Sequence, residues 1–496
     1  MKGVIDIEDK KKKSVGINAV LNIIKQCCAI IFPLITFPYA SRVLGVENYG
    51  KVNFGTSIIS YFTLLAGLGI TNYAIREGAR IRDDKKNFSA FVNEVFTINV
   101  VTTLISYAAL FLTLIFWDKL GSYRVLILIQ SLSILFTTIG TDWINSIYEE
   151  YAYITIRYVI VHIIAIALMF IFVRDSSDYI IYAFIAIFGT VGANAINIFH
   201  IRKIVKLRLV KVKNLKLHLI PMIMLFCNSL SVLIYVNSDV TMLGILSDDK
   251  SVGIYSAATK IYNIIKQLIN AIIVVMIPRL SALLGKKMYD EYNKLLRNSF
   301  HAIVTLLAPA ITGVFVLSYE IIWIIGGEQY APGYVVLSIL SIALGGSVFA
   351  NFFNNAILVP NKKEKYFLIA TITAAIANIV LNFILIPTLD YVGTAVTTVI
   401  AEYIVLGFGI FFSRGLFTFK VIWRDLISSL SGCIFIVLIS FVLHEFIDSI
   451  LLRTVAICLS SVIGYFLILI IFKNSLVTNV IVQVKKKLNE FCKRFK

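Results

Sequence analysis

Residues 202–216 read RKIVKLRLVKVKNLK, and seven of these fifteen side chains are basic: Arg202, Lys203, Lys206, Arg208, Lys211, Lys213 and Lys216. On both sides of this segment the chain is apolar for long distances. Upstream, six apolar stretches fall at 15–44, 51–75, 87–116, 122–147, 150–173 and 177–201. Downstream, eight more fall at 217–246, 250–284, 288–318, 331–359, 364–388, 391–413, 422–445 and 449–472. Lipid offers the backbone no hydrogen-bond partner, so a hydrocarbon core about 30 Å thick takes roughly 20 apolar residues per crossing helix. With 59% hydrophobic and only 15% charged residues, the chain reads as an all-α integral membrane protein with about fourteen transmembrane helices.

Loop charge orients it. The loop after the second stretch carries Arg76, Arg80, Arg82, Lys85 and Lys86, whereas odd-numbered stretches end in poor loops such as that holding Lys119 and Arg124, or Arg174 alone. About 36 of the 46 basic residues fall on one side, which the positive-inside rule makes cytoplasmic together with both termini. The same segregation accounts for the net charge of +18 without a nucleic-acid partner. Cys27, Cys28, Cys227, Cys433 and Cys458 lie in apolar stretches and Cys492 in a basic tail, with no disulfide framework or metal spacing. The first apolar stretch is too long for a signal peptide and is expected to be retained. Val477, Ile481, Val484, Leu488, Phe491 and Phe495 recur at helical spacing among lysines, which predicts an amphipathic helix on anionic lipid.

The segment Ser41-Arg42-Val43-Leu44-Gly45-Val46 through Tyr49-Gly50 has an echo in Thr241-Met242-Leu243-Gly244-Ile245 through Val252-Gly253-Ile254-Tyr255. Each follows the first helix of a six-helix half, and six is even, so both halves enter the membrane in one orientation. The fold expected is therefore two parallel six-helix repeats forming two lobes, with a solute site at the seam between them. The divisions are a cytoplasmic tail at 1–14, an N-lobe at 15–201, a basic linker at 202–216, a C-lobe at 217–413, two extra C-terminal helices at 414–473 and a basic amphipathic tail at 474–496.

Ionisable and polar residues inside the bilayer cost free energy unless they face protein or water. In the eighth stretch Ser256, Lys260, Asn263, Gln267 and Asn270 recur at steps of three and four, one face of a helix, with Lys266 on its margin. The first stretch repeats the pattern with Asn18, Asn22 and Lys25. Asn53, Ser57 and Ser60 mark the second, Asn228, Ser231, Tyr235 and Asp239 the seventh, and Asn351, Asn354 and Asn355 the tenth. These faces read as the wall of a hydrated cavity, whereas the isolated Asn378 and Asn382 read as helix-joining hydrogen-bond residues. Pro33 and Pro38 predict a kink in the first helix. His162, His200, His218, His301 and His444 are scattered without metal-ligand spacing, no loop is long enough for a catalytic domain, and Gly326-Gly327-Glu328 begins no phosphate-binding loop. No catalytic residue, metal or cofactor is expected.

Arg42-Val43-Leu44-Gly45 with Tyr49-Gly50, Ala74-Ile75-Arg76-Glu77, Val252-Gly253-Ile254-Tyr255-Ser256-Ala257 and Gly327-Glu328-Gln329-Tyr330-Ala331-Pro332, taken with the helix count, resemble the Wzx-type polysaccharide repeat-unit flippases. These are a branch of the multidrug/oligosaccharidyl-lipid/polysaccharide exporter superfamily. The resemblance implies alternating access by two lobes in a bacterial cytoplasmic membrane, without an ATP site. It implies a lipid-linked oligosaccharide substrate, usually on undecaprenyl pyrophosphate, for O-antigen, capsule or another surface polymer. Membrane lipids, a polysaccharide polymerase and chain-length proteins are the partners implied. A pyrophosphate needs cations, so Lys25, Arg42, Lys260 and Lys266 are the candidate contacts, with Asn22, Asn263, Gln267 and Asn270 beside them. Proton or sodium coupling would fall on Asp239 or Glu94. The alternatives are a flippase for lipid II or a related precursor, a cation-coupled drug antiporter, and a membrane glycosyl polymerase or ligase.

Overall fold

The computed structural model describes residues 15–418 and 421–478, apart from the side chains at 15–20, 22 and 23. The expected N-terminal tail, the amphipathic tail beyond Thr478 and the side chains of Asn18 and Asn22 lie outside the described residues. Every described regular element is helical. Twelve helices among them are long and apolar enough to cross a membrane, against the fourteen expected. The difference has a physical origin. The first two stretches are one element, α1 (Val15–Gly67), broken only at Gly45, where φ is 72°; glycine takes that torsion without a Cβ penalty. Helical torsions continue through Pro33 and Pro38, so the break falls after them.

The eleventh and twelfth stretches are likewise joined in α13 (Glu364–Ser413), broken at Asp390 with φ 53°. A non-glycine residue there needs local support. Ser247 and Ser251 supply it, their hydroxyls donating to the two Asp390 carboxylate oxygens at 2.6 and 2.5 Å. At 1.5 Å per residue, α13 is about 75 Å long, enough for two crossings of a core about 30 Å thick.

The chain divides into two compact units, residues 1–237 and 238–496. The first contains α1, α2 (Ile70–Ile81), α3 (Lys85–Phe116), α4 (Arg124–Gly140), α5 (Trp143–Ile147), α6 (Tyr151–Phe172), α7 (Tyr179–Ile201) and the first two-thirds of α8 (Leu215–Leu246). Within it α1 packs on α3, α4 and α6, and α7 on α4 and α6. The division lies inside α8 and not at the basic linker, because the linker is itself bound to the first unit. Arg208 N–H donates to Asn93 Oδ1 at 2.9 Å and Val210 N–H to Thr97 Oγ1 at 3.0 Å. Val205 and Met222 join a buried cluster with Tyr73, Phe88 and Trp143.

The second unit holds α9 (Asp249–Gly285), α10 (Tyr289–Val316), α11 (Ser318–Gly326), α12 (Tyr334–Asn351), α13, α14 (Trp423–Phe446) and α15 (Ile450–Ile471). Here α12 packs on α9, α10 and α13, while α14 and α15 form a pair attached through α10. Glu320 of α11 secures that pair at one end, accepting from Arg453 Nη2 at 2.9 Å and His444 Nε2 at 3.0 Å. The repeat is visible in the element order. A six-residue 3₁₀ turn opening on an acidic residue precedes α4 at Asp118–Tyr123 and α12 at Glu328–Gly333. A π-turn at Phe352–Leu358 carries Asn354 and Asn355, the polar positions read from the tenth stretch.

Candidate functional site

Asp239 of α8 is the centre of the second unit's polar core. It is 6% exposed and accepts four hydrogen bonds. Oδ1 receives the carboxamides of Asn378 at 3.0 Å and Asn382 at 2.8 Å, one helical turn apart on α13. Oδ2 receives the Tyr255 phenol at 2.6 Å and the Thr398 hydroxyl at 2.7 Å. Thr397 and Ser238 then donate to the carbonyl oxygens of Asn382 and Asn378, at 2.6 and 3.0 Å. The break at Asp390 lets residues from both halves of α13 meet one carboxylate.

All four donors are neutral, and among the described residues no Lys, Arg or His forms an ion pair with Asp239. A buried carboxylate without a counter-charge attracts a mobile cation. The two carboxamides turn nitrogen toward Asp239 and oxygen toward Ser238 and Thr397, so the carboxylate oxygens are the hard donors that a small cation would meet here. Asn378 and Asn382 do join helices, as expected of them, but what they join to α13 is this carboxylate. Tyr255 belongs to the Val252-Gly253-Ile254-Tyr255 segment that echoes the first half.

Elsewhere the predicted residues are distributed unevenly. Lys266 Nζ lies 2.6 Å from Glu402 Oε1, and the Tyr262 phenol donates to the same oxygen at 2.9 Å. The Lys266 charge is thus compensated inside the protein. Glu402 is 5% exposed and was missed, although it is the lone charged residue in the apolar run 392–412. Along α9, Ser256 is buried, Lys260 half-buried, Asn263 and Gln267 exposed and Asn270 half-buried.

In the first unit Lys25 is half-buried, with Nζ 5.5 Å from the Tyr158 ring centre, a cation–π distance. Arg42 is exposed. Glu94 sits beside the basic linker, 2.9 Å from His218 Nε2, and His218 Nδ1 is 2.7 Å from the Tyr73 hydroxyl. The structure therefore places Asp239 and Glu94, the two acidic candidates, in separate surroundings.

Sequence reasoning also missed a second ion pair, buried on its arginine side. Arg157 of α6, with a side chain 5% exposed, donates through Nη2 to Asp142 Oδ1, which also takes Asn145 and Asn197 carboxamides at 3.2 Å each. The guanidinium stands over Tyr153, whose ring stacks on His200, and His200 Nε2 is 2.6 Å from Glu150. Arg157 was assigned no role because the sequence shows a lone arginine in the fifth stretch, and its partner Asp142 lies 15 residues upstream in the fourth.

These features define a multi-pass membrane transport protein built on the two-unit exporter fold. The chain matches the family described as polysaccharide biosynthesis protein over residues 13–284, and it matches the MatE family over residues 222–384. It belongs to the polysaccharide biosynthesis protein family, the Wzx-type branch of the multidrug/oligosaccharidyl-lipid/polysaccharide exporter superfamily. It is similar to a putative O-antigen transporter of Escherichia coli K12, 25% identical over 407 residues, which cover 81% of this chain and 97% of that one. Among solved structures it resembles a lipid II flippase, MurJ, in an inward closed conformation, with a TM-score of 0.75 at 16% identity over 94% of this chain and 99% of that one. An inward-facing multidrug resistance transporter of the MATE family follows, with a TM-score of 0.62 at 13% identity over 79% and 97%. At such identities the structural likeness establishes the fold.

Proposed function

We propose that this protein translocates an undecaprenyl-pyrophosphate-linked oligosaccharide from the cytoplasmic to the outer leaflet of a bacterial cytoplasmic membrane, by alternating access, with both termini cytoplasmic. The observation that carries the reading is the alignment with a putative O-antigen transporter over 97% of that protein's length. Lys25 and Lys260 are the proposed pyrophosphate contacts, since a half-buried compact ammonium attracts phosphate with less screening than in bulk water. Lys266 is assigned a weaker part because Glu402 already neutralises it. Transport is driven by a proton or sodium gradient through Asp239, whose carboxylate has only neutral partners.

Asp239 also favours a second reading, a cation-coupled drug antiporter. Deleting the gene in its native host separates the two. The flippase reading expects lipid-linked repeat units to accumulate and the surface polymer to disappear, with drug susceptibility unchanged. An intact polymer together with sensitisation to cationic compounds would support the antiporter instead.

A further inference from the structure

The first unit contains two cavities of similar size and opposite chemistry. One, about 450 Å³, lies where α1, α3, the linker and the start of α8 meet. Its walls are aliphatic apart from Thr97 and Thr102, and both hydroxyls are spent on backbone carbonyls, of Asn93 at 2.7 Å and Ala66 at 2.7 Å. Such a surface suits hydrocarbon. The other, about 480 Å³, is bounded by α1, α2, α4 and α8. Eight of its fourteen lining residues carry a hydroxyl or a carboxamide, and none carries a charge.

We propose that this second cavity is a subsite for uncharged sugar residues of the transported glycan. The proposal rests on the flippase reading and adds to it a place for the saccharide, apart from the pyrophosphate. The lack of charge disfavours a phosphate or a drug cation, either of which would be left without a counter-ion. A lipid chain would also cover Thr71, Asn72 and Ser229, whose hydroxyl and amide groups it cannot pair.

The polar groups are also directed in a way that suits sugar hydroxyls. Thr63, Ser133 and Thr137 donate back along their own helices, to the carbonyls of Ile59 at 2.9 Å, Gln130 at 2.8 Å and Ser133 at 2.7 Å. They therefore offer lone pairs to an incoming hydroxyl donor. Thr71, Asn72 and Ser229 bring hydroxyl and amide donors to the same cavity. Asn237 holds the Ser60 hydroxyl at 2.7 Å and Gln130 the Thr56 hydroxyl at 3.0 Å, which fixes part of the wall.

Between these groups Ile59, Ile70 and Leu233 give apolar surface for the C–H faces of a sugar ring. Gly69 closes the cavity at φ 70°, where an added Cβ would stand 2.6 Å from the Met222 carbonyl, so another residue would push α8 outward. The volume falls inside the roughly 300–1,000 Å³ of small-molecule sites.

The test compares two lipids binding to the purified full chain in nanodiscs: undecaprenyl pyrophosphate carrying the host's repeat unit, and undecaprenyl pyrophosphate alone. The variant is Thr63→Val/Thr137→Val, which removes two hydroxyls at nearly constant volume. Binding of the glycosylated lipid is expected to weaken about tenfold or more, while binding of the bare lipid to the same preparation stays within about twofold, which also shows that the variant is folded. Equal loss for both lipids, or no change for either, would overturn the subsite. Wild-type protein that bound neither lipid would count against the flippase reading itself and remove the basis of the proposal.

Discussion

Both units set a carboxylate among asparagines, but the partly exposed Asp142 in the first has an arginine and the buried Asp239 in the second has none. Asp142 takes Arg157, Asn145 and Asn197, and its charge is cancelled where it stands. Asp239 takes two carboxamides, a phenol and a hydroxyl, which stabilise the anion without cancelling it. Opposite charges 4 Å apart attract by about 4 kcal/mol at an effective dielectric constant near 20, so the open charge is the stronger attractor for a mobile cation. The two carboxylates stand at different places in their halves, Asp142 between α4 and α5 and Asp239 within α8, and differ in charge balance. In this account the coupling ion is carried by the second unit, at Asp239.

The largest effect is expected where the charge is open. Asp239→Asn should lower export at least about a hundredfold, equivalent to about 2.7 kcal/mol, measured as surface polymer at matched protein abundance. Export near the parental level would remove the proposed functional difference between the units. Thr398→Val deletes one neutral donor and keeps the charge, which separates loss of a hydrogen bond from loss of the anion.

A stability effect is expected where the charge is closed. Asp142→Asn should cost about 2 kcal/mol in unfolding free energy, below the 3–5 kcal/mol of a fully enclosed pair, because the Asp142 side chain is 39% exposed. Combining it with Arg157→Gln should cost less than the sum of the single changes. Additive costs would mean that the two groups do not act as a pair.

The narrowest comparison is between the two partners of the pair inside the second unit. Lys266→Met leaves Glu402, with a side chain 6% exposed, holding only the Tyr262 phenol, whereas Glu402→Gln leaves Lys266, 25% exposed, able to turn toward water. Thermal unfolding should therefore fall further for Lys266→Met, by about 3 kcal/mol against about 1 kcal/mol. The reverse order would show that the lysine is the more deeply committed partner.

Much of this was legible in order along the chain, and less of it across the chain. Apolar length and loop charge marked the spans and the basic linker because each is a property of one segment. Gly45 and Asp390 were not visible as single-residue breaks, since a hydropathy pattern resolves the stretches and not a torsion between them. Lys266 was found by the cost of an ammonium in lipid, but Glu402 lies 136 residues away and its pairing is a tertiary fact. Asn378 and Asn382, read as helix-joining residues, showed their spacing of four, yet only the fold puts Asp239 opposite them. Asp239 itself stood out because a carboxylate in an apolar stretch is costly whatever its neighbours.

The claim that the protein moves a lipid-linked oligosaccharide across a bilayer is tested most directly by reconstitution. The purified chain is placed in liposomes whose inner leaflet holds the glycosylated undecaprenyl pyrophosphate, and a glycosidase that cannot cross the membrane is added outside. The account predicts sugar release that grows with time in protein-containing vesicles and quickens when a proton or sodium gradient is imposed. Release no faster than from protein-free liposomes, with the chain folded and the gradient present, would contradict it.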